Sequence, residues 1–122
     1  MANIMVVDDS AIVRKTITKQ LTDFGHEVVY QAVDGKDAIA NYKKGTIDLV
    51  TMDISMPEMN GIEALKGILE IDKDAKVVMI TSHGEESMVI EAITIGSIGY
   101  LLKPITKEKL QELLKKVKLD NE

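Results

Sequence analysis

Three acids, one hydroxyl and one amine stand at corresponding places in this chain of 122 residues. Asp8 and Asp9 follow an apolar run ending at Val7, and Asp53 closes the run Leu49-Val50-Thr51-Met52. Thr81 follows Ile80, and Lys103 follows Leu102. Acids at the carboxyl ends of parallel strands sit where open α/β sheets gather their ligands. Three neighbouring carboxylates raise one another's pKa unless a counter-charge relieves them. An all-oxygen set selects a hard ion, Mg2+ or Mn2+, over softer metals. Mg2+ usually keeps waters and takes one or two carboxylates plus a phosphate, which leaves one carboxylate to act as a nucleophile. A carboxylate attacking phosphorus gives an acyl phosphate. A divalent cation and an ammonium stabilise the equatorial oxygens of that transition state, and a threonine hydroxyl beside them is placed to sense the product.

The elements that must position these residues follow from the hydropathy pattern. The runs 3–7, 27–31, 47–52, 76–80 and 98–102 are short and β-rich, and the first is continuous rather than alternating, as for a strand covered on both faces. Between them lie helical patterns. Val13, Ile17, Leu21 and Phe24 form one stripe ended by Gly25 at C′. Residues 36–44 read as a short helix stopped by Gly45, after the turn Asp34-Gly35. Gly61 opens a helix with Ile62, Leu65, Ile68 and Leu69 inward, in which Gly67 costs roughly 1 kcal/mol relative to Ala. Residues 85–95 form a fourth helix closed by Gly96, with Met88, Ala92 and Ile95 inward and Ile90 nearly opposite them. The last helix, 106–118, carries Leu110, Leu113, Leu114 and Val117 on one face. Lys115, Lys116 and Lys118 lie near its C-terminus, where cations suit the macrodipole. Strands alternating with helices through short connections predict a doubly wound parallel sheet covered on both faces. If strands 1 and 3 are neighbours at its switch point, Asp8, Asp9 and Asp53 converge, with Thr81 and Lys103 supplied by strands 4 and 5.

Singly, each residue has an ordinary role. Asp9 or Ser10 can cap the first helix and Thr81 or Ser82 the fourth. Asp53 can be a turn acid before Pro57, and Lys103 a surface lysine before Pro104. Jointly they are one chemical set on one edge of a sheet. Composition narrows the alternatives. The chain is 45% hydrophobic but only 3% aromatic and has no cysteine, so its core is aliphatic, and disulfide, thiolate and zinc-ribbon chemistry are excluded. No secretory signal and no membrane-length apolar run is present, and a net charge of -5 argues against nucleic acid as the main partner. The length suits one domain, 1–122.

The segments Val6-Val7-Asp8-Asp9-Ser10, Met52-Asp53-Ile54-Ser55-Met56-Pro57-Glu58-Met59-Asn60-Gly61, Ile80-Thr81-Ser82 and Tyr100-Leu101-Leu102-Lys103-Pro104 resemble those of a response-regulator receiver domain of the CheY type, across the whole chain. The resemblance implies a flavodoxin-like (βα)5 fold with strand order 2-1-3-4-5. It implies Asp53 as phosphoacceptor and Asp9 as a direct Mg2+ ligand, with Asp8 acting mainly through water and the Ser55 backbone carbonyl as a further ligand. Lys103 would pair with the phosphoryl group and Thr81 would move to bond it. Tyr100 would turn inward as the aromatic switch, and Pro104 would follow a cis bond. A histidine kinase is implied as donor and a phosphatase as a further partner. The output is implied to be a downstream protein, such as a flagellar motor switch or another adaptor. It would dock on the face of the fourth helix, fifth strand and fifth helix, where Ile90 and Tyr100 lie. The implied protein is a cytoplasmic, mainly monomeric two-component phosphoprotein with no effector domain and no turnover of a separate small-molecule substrate.

Ser55 and His83 occupy variable positions beside the phosphoryl site that in this family modulate dephosphorylation, and Ile105 stands where many relatives carry Phe. The alternative within the family is a phosphorelay intermediate that passes its phosphoryl group to a histidine phosphotransferase. Two rivals fit less well. A small-molecule phosphohydrolase with Asp53 as nucleophile would carry a D-x-D pair, and the second residue after Asp53 is Ser55. An FMN-binding protein would need a phosphate loop where Asp8 and Asp9 would repel one.

Overall fold

The structure, a computed structural model, describes residues 1–117; Lys118, expected in the last helix, lies outside the described residues. In chain order the elements are β1 (Asn3–Val7), α1 (Ala11–Asp23), β2 (Glu27–Ala32), α2 (Gly35–Asn41), β3 (Leu49–Asp53), α3 (Gly61–Ile71), β4 (Val77–Thr81), α4 (Glu86–Ile95), β5 (Gly99–Leu102) and α5 (Lys107–Lys116). The strands form one parallel sheet in the order β2-β1-β3-β4-β5, the flavodoxin-like arrangement expected.

Each inner strand sends alternate side chains to opposite faces, and both faces are buried. Met5, Val7, Val50, Met52, Val77 and Met79 pack on one side with Ala38 of α2, Leu65 and Ile68 of α3, and Val89 and Ala92 of α4. Ile4, Val6, Leu49, Val78, Ile80 and Leu101 pack on the other with Ile17 and Leu21 of α1 and Leu110, Leu113 and Leu114 of α5. This double burial explains why β1, β3 and β4 read as near-continuous apolar runs. At the amino-terminal edge of the sheet Ala2 is buried; its N–H donates to His26 Nδ1 at 3.0 Å, and its carbonyl accepts from the Glu27 N–H at 2.9 Å.

Two expectations change. Helix α2 ends at Asn41, not at residue 44, because Tyr42 turns extended (φ -71, ψ 130) and buries its ring while its hydroxyl donates to Asp72 at 2.8 Å. Gly45, at φ +87, belongs to the loop beyond. On α4 the buried residues are Val89 and Ala92, with Met88 and Ile95 only partly buried beside them; the inward stripe is therefore broader than Met88, Ala92 and Ile95.

Candidate functional site

The β1 exit is shaped by Asp8. Its Oδ1 accepts the Ser10 N–H at 2.8 Å, while its backbone carbonyl accepts from the Arg14 guanidinium at 2.6 Å. Ser10 then caps α1 by accepting from the Val13 N–H at 3.3 Å. Capping therefore falls to Ser10, and Asp9 stays exposed at the sheet edge. Asp53 is the last residue of β3 and is 3% exposed. The loop that follows carries Glu58 at φ +67 and returns so closely that the Gly61 N–H donates to the Ile54 carbonyl at 2.8 Å. A Cβ at Gly61 would meet the Asp53 carbonyl oxygen and lie 2.9 Å from Ile54 Cα, so only glycine fits there. Asn60 and Glu63 complete a reciprocal capping box at the start of α3.

Carboxylate oxygens of Asp8, Asp9 and Asp53 lie within 4.8 Å of one another. Lys103 Nζ spans the cluster, 3.4 Å from Asp8 Oδ2 and 3.3 Å from Asp53 Oδ1. The Lys103–Pro104 bond is cis, and the Lys103 N–H donates to the Thr81 carbonyl at 2.8 Å, so β4 fixes where the lysine begins. Burial pushes the Asp53 carboxyl up to about 6; the Asp8 charge adds to the rise and Lys103 opposes it. Burial alone would lower the Lys103 ammonium, but the attraction of Asp53 and Asp8 outweighs it and leaves the lysine above its ordinary value. Three acids against one amine leave surplus negative charge on hard oxygen donors, and that composition fits a divalent cation of the Mg2+ type.

Thr81, the last residue of β4, is buried beside the cluster. Its Oγ1 donates to Glu85 Oε1 at 2.8 Å, and the Ser82 N–H donates to the same oxygen at 2.7 Å. The Ser55 hydroxyl donates to Glu85 Oε2. These bonds, with burial working against them, hold the Glu85 carboxyl below its ordinary value, and the Lys103 charge adds to the lowering. Glu85 was not singled out in the sequence. An acid at the start of a helix is ordinary there, and only the three-dimensional return of its side chain toward β4 gives it a site role. His83 is exposed.

Tyr100 is set apart from the acids. It lies opposite Met79 in the β4–β5 register and is 51% exposed. Beside it a groove of about 430 Å³ is lined by Thr81, Val89, Ile90, Ile93 and Leu102, among others. Ile90 is 66% exposed. The groove thus runs from the Thr81 end of the acid site to the outer surface of α4.

A parallel five-stranded sheet whose strand ends gather an acid cluster, a bridging lysine and a threonine defines a receiver domain. Residues 4–115 match the response regulator receiver domain, and the chain belongs to that family. It is a phosphorylation-activated response regulator, a signalling switch. Receiver domains bind Mg2+ at an acidic cluster, for which Asp8, Asp9 and Asp53 are the candidates here. Among individual relatives, the chain is 42% identical to the chemotaxis protein CheY of Thermotoga maritima over 93% of this chain and 95% of that protein. It is 47% identical to CheY of Treponema pallidum over 93% of this chain and 81% of that protein. In three dimensions it resembles a chain of the CheX-CheY-BeF3-Mg complex of Borrelia burgdorferi, with a TM-score of 0.89 and 37% identity, covering 95% of this chain and 89% of that one.

Proposed function

We propose that residues 1–122 act as one receiver unit that accepts a phosphoryl group on Asp53 from a histidine kinase and signals to a downstream protein in the control of motility. The observation that carries this reading is the cluster itself: three carboxylates within 4.8 Å, two of them held by one lysine. An Asp53 carboxylate oxygen attacks phosphorus, the bond from phosphorus to the donor's histidine nitrogen breaks, and the imidazole leaves with the electron pair. Asp9 and Asp53, with the Ser55 carbonyl, would hold Mg2+. Asp8, whose Oδ1 accepts the Ser10 N–H and whose Oδ2 faces Lys103, would act mainly through water. Bound there, Mg2+ supplies positive charge to the phosphoryl oxygens. Lys103 stabilises the same oxygens from the other side and keeps its bond to the acids in the resting state.

Thr81 and Tyr100 carry the signal. Phosphorylation adds about 1.5–2 negative charges, and charge-assisted bonds are worth about 1.5–3 kcal/mol each. Bonds to Lys103 and Thr81 together supply most of the roughly 5.5 kcal/mol that separates a population of 1:99 from 99:1. As Thr81 moves toward the phosphoryl group, space opens at its end of the groove, and the Tyr100 ring can turn in. The face around Ile90, Tyr100 and α5 is then the docking surface for the target. Chemotaxis output is supported by the relatives named CheY. A CheX-type partner is supported by the Borrelia complex.

The test is phosphate incorporation. Wild-type protein incubated with acetyl phosphate should gain one phosphoryl group of about 80 Da by intact mass, provided Mg2+ is present. Asp53→Asn should gain none. Incorporation that survives Asp53→Asn, or that ignores Mg2+, rejects the assignment.

A further inference from the structure

We propose that Glu85 is a latch that holds Thr81 in the resting position and must release it before the phosphoryl group can be bonded. The inference rests on the phosphoacceptor reading of Asp53 and adds a residue to it.

The geometry is specific. One carboxylate accepts from three donors on two chain segments: the Thr81 hydroxyl and Ser82 N–H on Oε1, and the Ser55 hydroxyl on Oε2. Ser55 belongs to the loop after β3, Thr81 ends β4, and Glu85 is the residue immediately before α4. Glu85 itself makes no side-chain capping bond to α4, because its carboxylate is turned back toward the strand ends. A threonine hydroxyl has one proton to donate. While Glu85 accepts it, a phosphoryl oxygen on Asp53 cannot. The two acceptors are also both anionic, so the arriving charge repels the carboxylate that competes with it. Release of Thr81 and displacement of Glu85 are then one event. Because Glu85 leads directly into α4, that event shifts the start of the helix that lines the Tyr100 groove.

The latch predicts that removing Glu85 favours the phosphorylated-like state, and that it does so only through Thr81. The probe is beryllofluoride with saturating Mg2+, a phosphoryl mimic whose bound form is read by fluorine NMR. Glu85→Ala should bind it about tenfold more tightly than wild type, the equivalent of losing one competing charge-assisted bond. Glu85→Gln, which removes the charge but keeps one acceptor oxygen, should fall between the two. In a Thr81→Ala background the Glu85→Ala change should have no effect. Mg2+ affinity in the absence of beryllofluoride and the thermal midpoint of each variant are measured alongside; a folding defect would lower both rather than raise beryllofluoride affinity. Unchanged or weakened beryllofluoride binding in both Glu85 variants overturns the latch, as does an equal gain with and without Thr81. A wild-type protein that fails to bind the mimic at all, or binds it equally well as Asp53→Asn, would instead reject the phosphoacceptor assignment.

Discussion

A carboxyl pushed up to about 6 titrates within the range where proteins are stored and assayed, and Asp53 is such a group. Its folded value lies above the ordinary 3.8, so the native state binds the proton more tightly than the unfolded chain. The associated stability is fully present below about pH 4 and is lost as pH rises through about 6, a loss on the order of 2–3 kcal/mol without metal. Asp53→Asn removes that loss. In chelator-treated protein the variant should be more stable than wild type by urea denaturation near pH 8, with the gap closing toward about pH 4. Adding Mg2+ should narrow the gap at high pH by stabilising wild type alone. A wild type whose stability is flat across this window would show that Lys103 already neutralises the site. The acids and the lysine were legible in the sequence because each ends an apolar run, and a run of that kind fixes where its last residue must emerge. Glu85 was not, because its significance depends on a side-chain direction that no spacing encodes.

Glycines govern two of the joints between elements. Gly61 lets α3 begin against the backbone of Asp53 and Ile54. Gly61→Ala should therefore destabilise the protein by about 1–3 kcal/mol and slow acetyl phosphate incorporation in the fraction that still folds, measured by denaturation and intact mass. Gly67 is different. A Cβ there meets the Ile39 side chain of α2, not backbone. The helix-propensity gain of about 1 kcal/mol expected for Ala is offset by crowding of Ile39. Gly67→Ala should leave the urea midpoint near or below that of wild type, whereas paired with Ile39→Val it should recover part of the gain. A clear midpoint rise in Gly67→Ala alone would refute the crowding. The succession of strands and helices was readable from the alternation of short apolar runs with amphipathic stripes, whereas the sheet order 2-1-3-4-5 came only with the family resemblance, because periodicity does not say which strands are neighbours. The end of α2 was not, because it is set by a long-range bond from Tyr42 to Asp72 across 30 positions.

Across the whole molecule, the site and the outer face of α4 share a boundary at Thr81 and the Tyr100 groove. If Tyr100 is the switch, beryllofluoride with Mg2+ should shield its ring. In fluorotyrosine-labelled protein one of the three tyrosine resonances should shift and lose its sensitivity to a soluble quencher, and Thr81→Ala should abolish the change. A Tyr100 signal equally exposed in both states would leave the groove without a role in signalling. The opposite edge of the sheet has a practical consequence. Ala2 is pinned between His26 and Glu27, while Met1 is 80% exposed. Strands of five residues span about 17 Å between that edge and the acids. A surface linker attached at Met1 would therefore leave the strand-end pocket and the α4 flank facing outward. Immobilised protein in a biosensor or pull-down should keep its donor and target surfaces accessible, provided Ala2 is retained as the anchor.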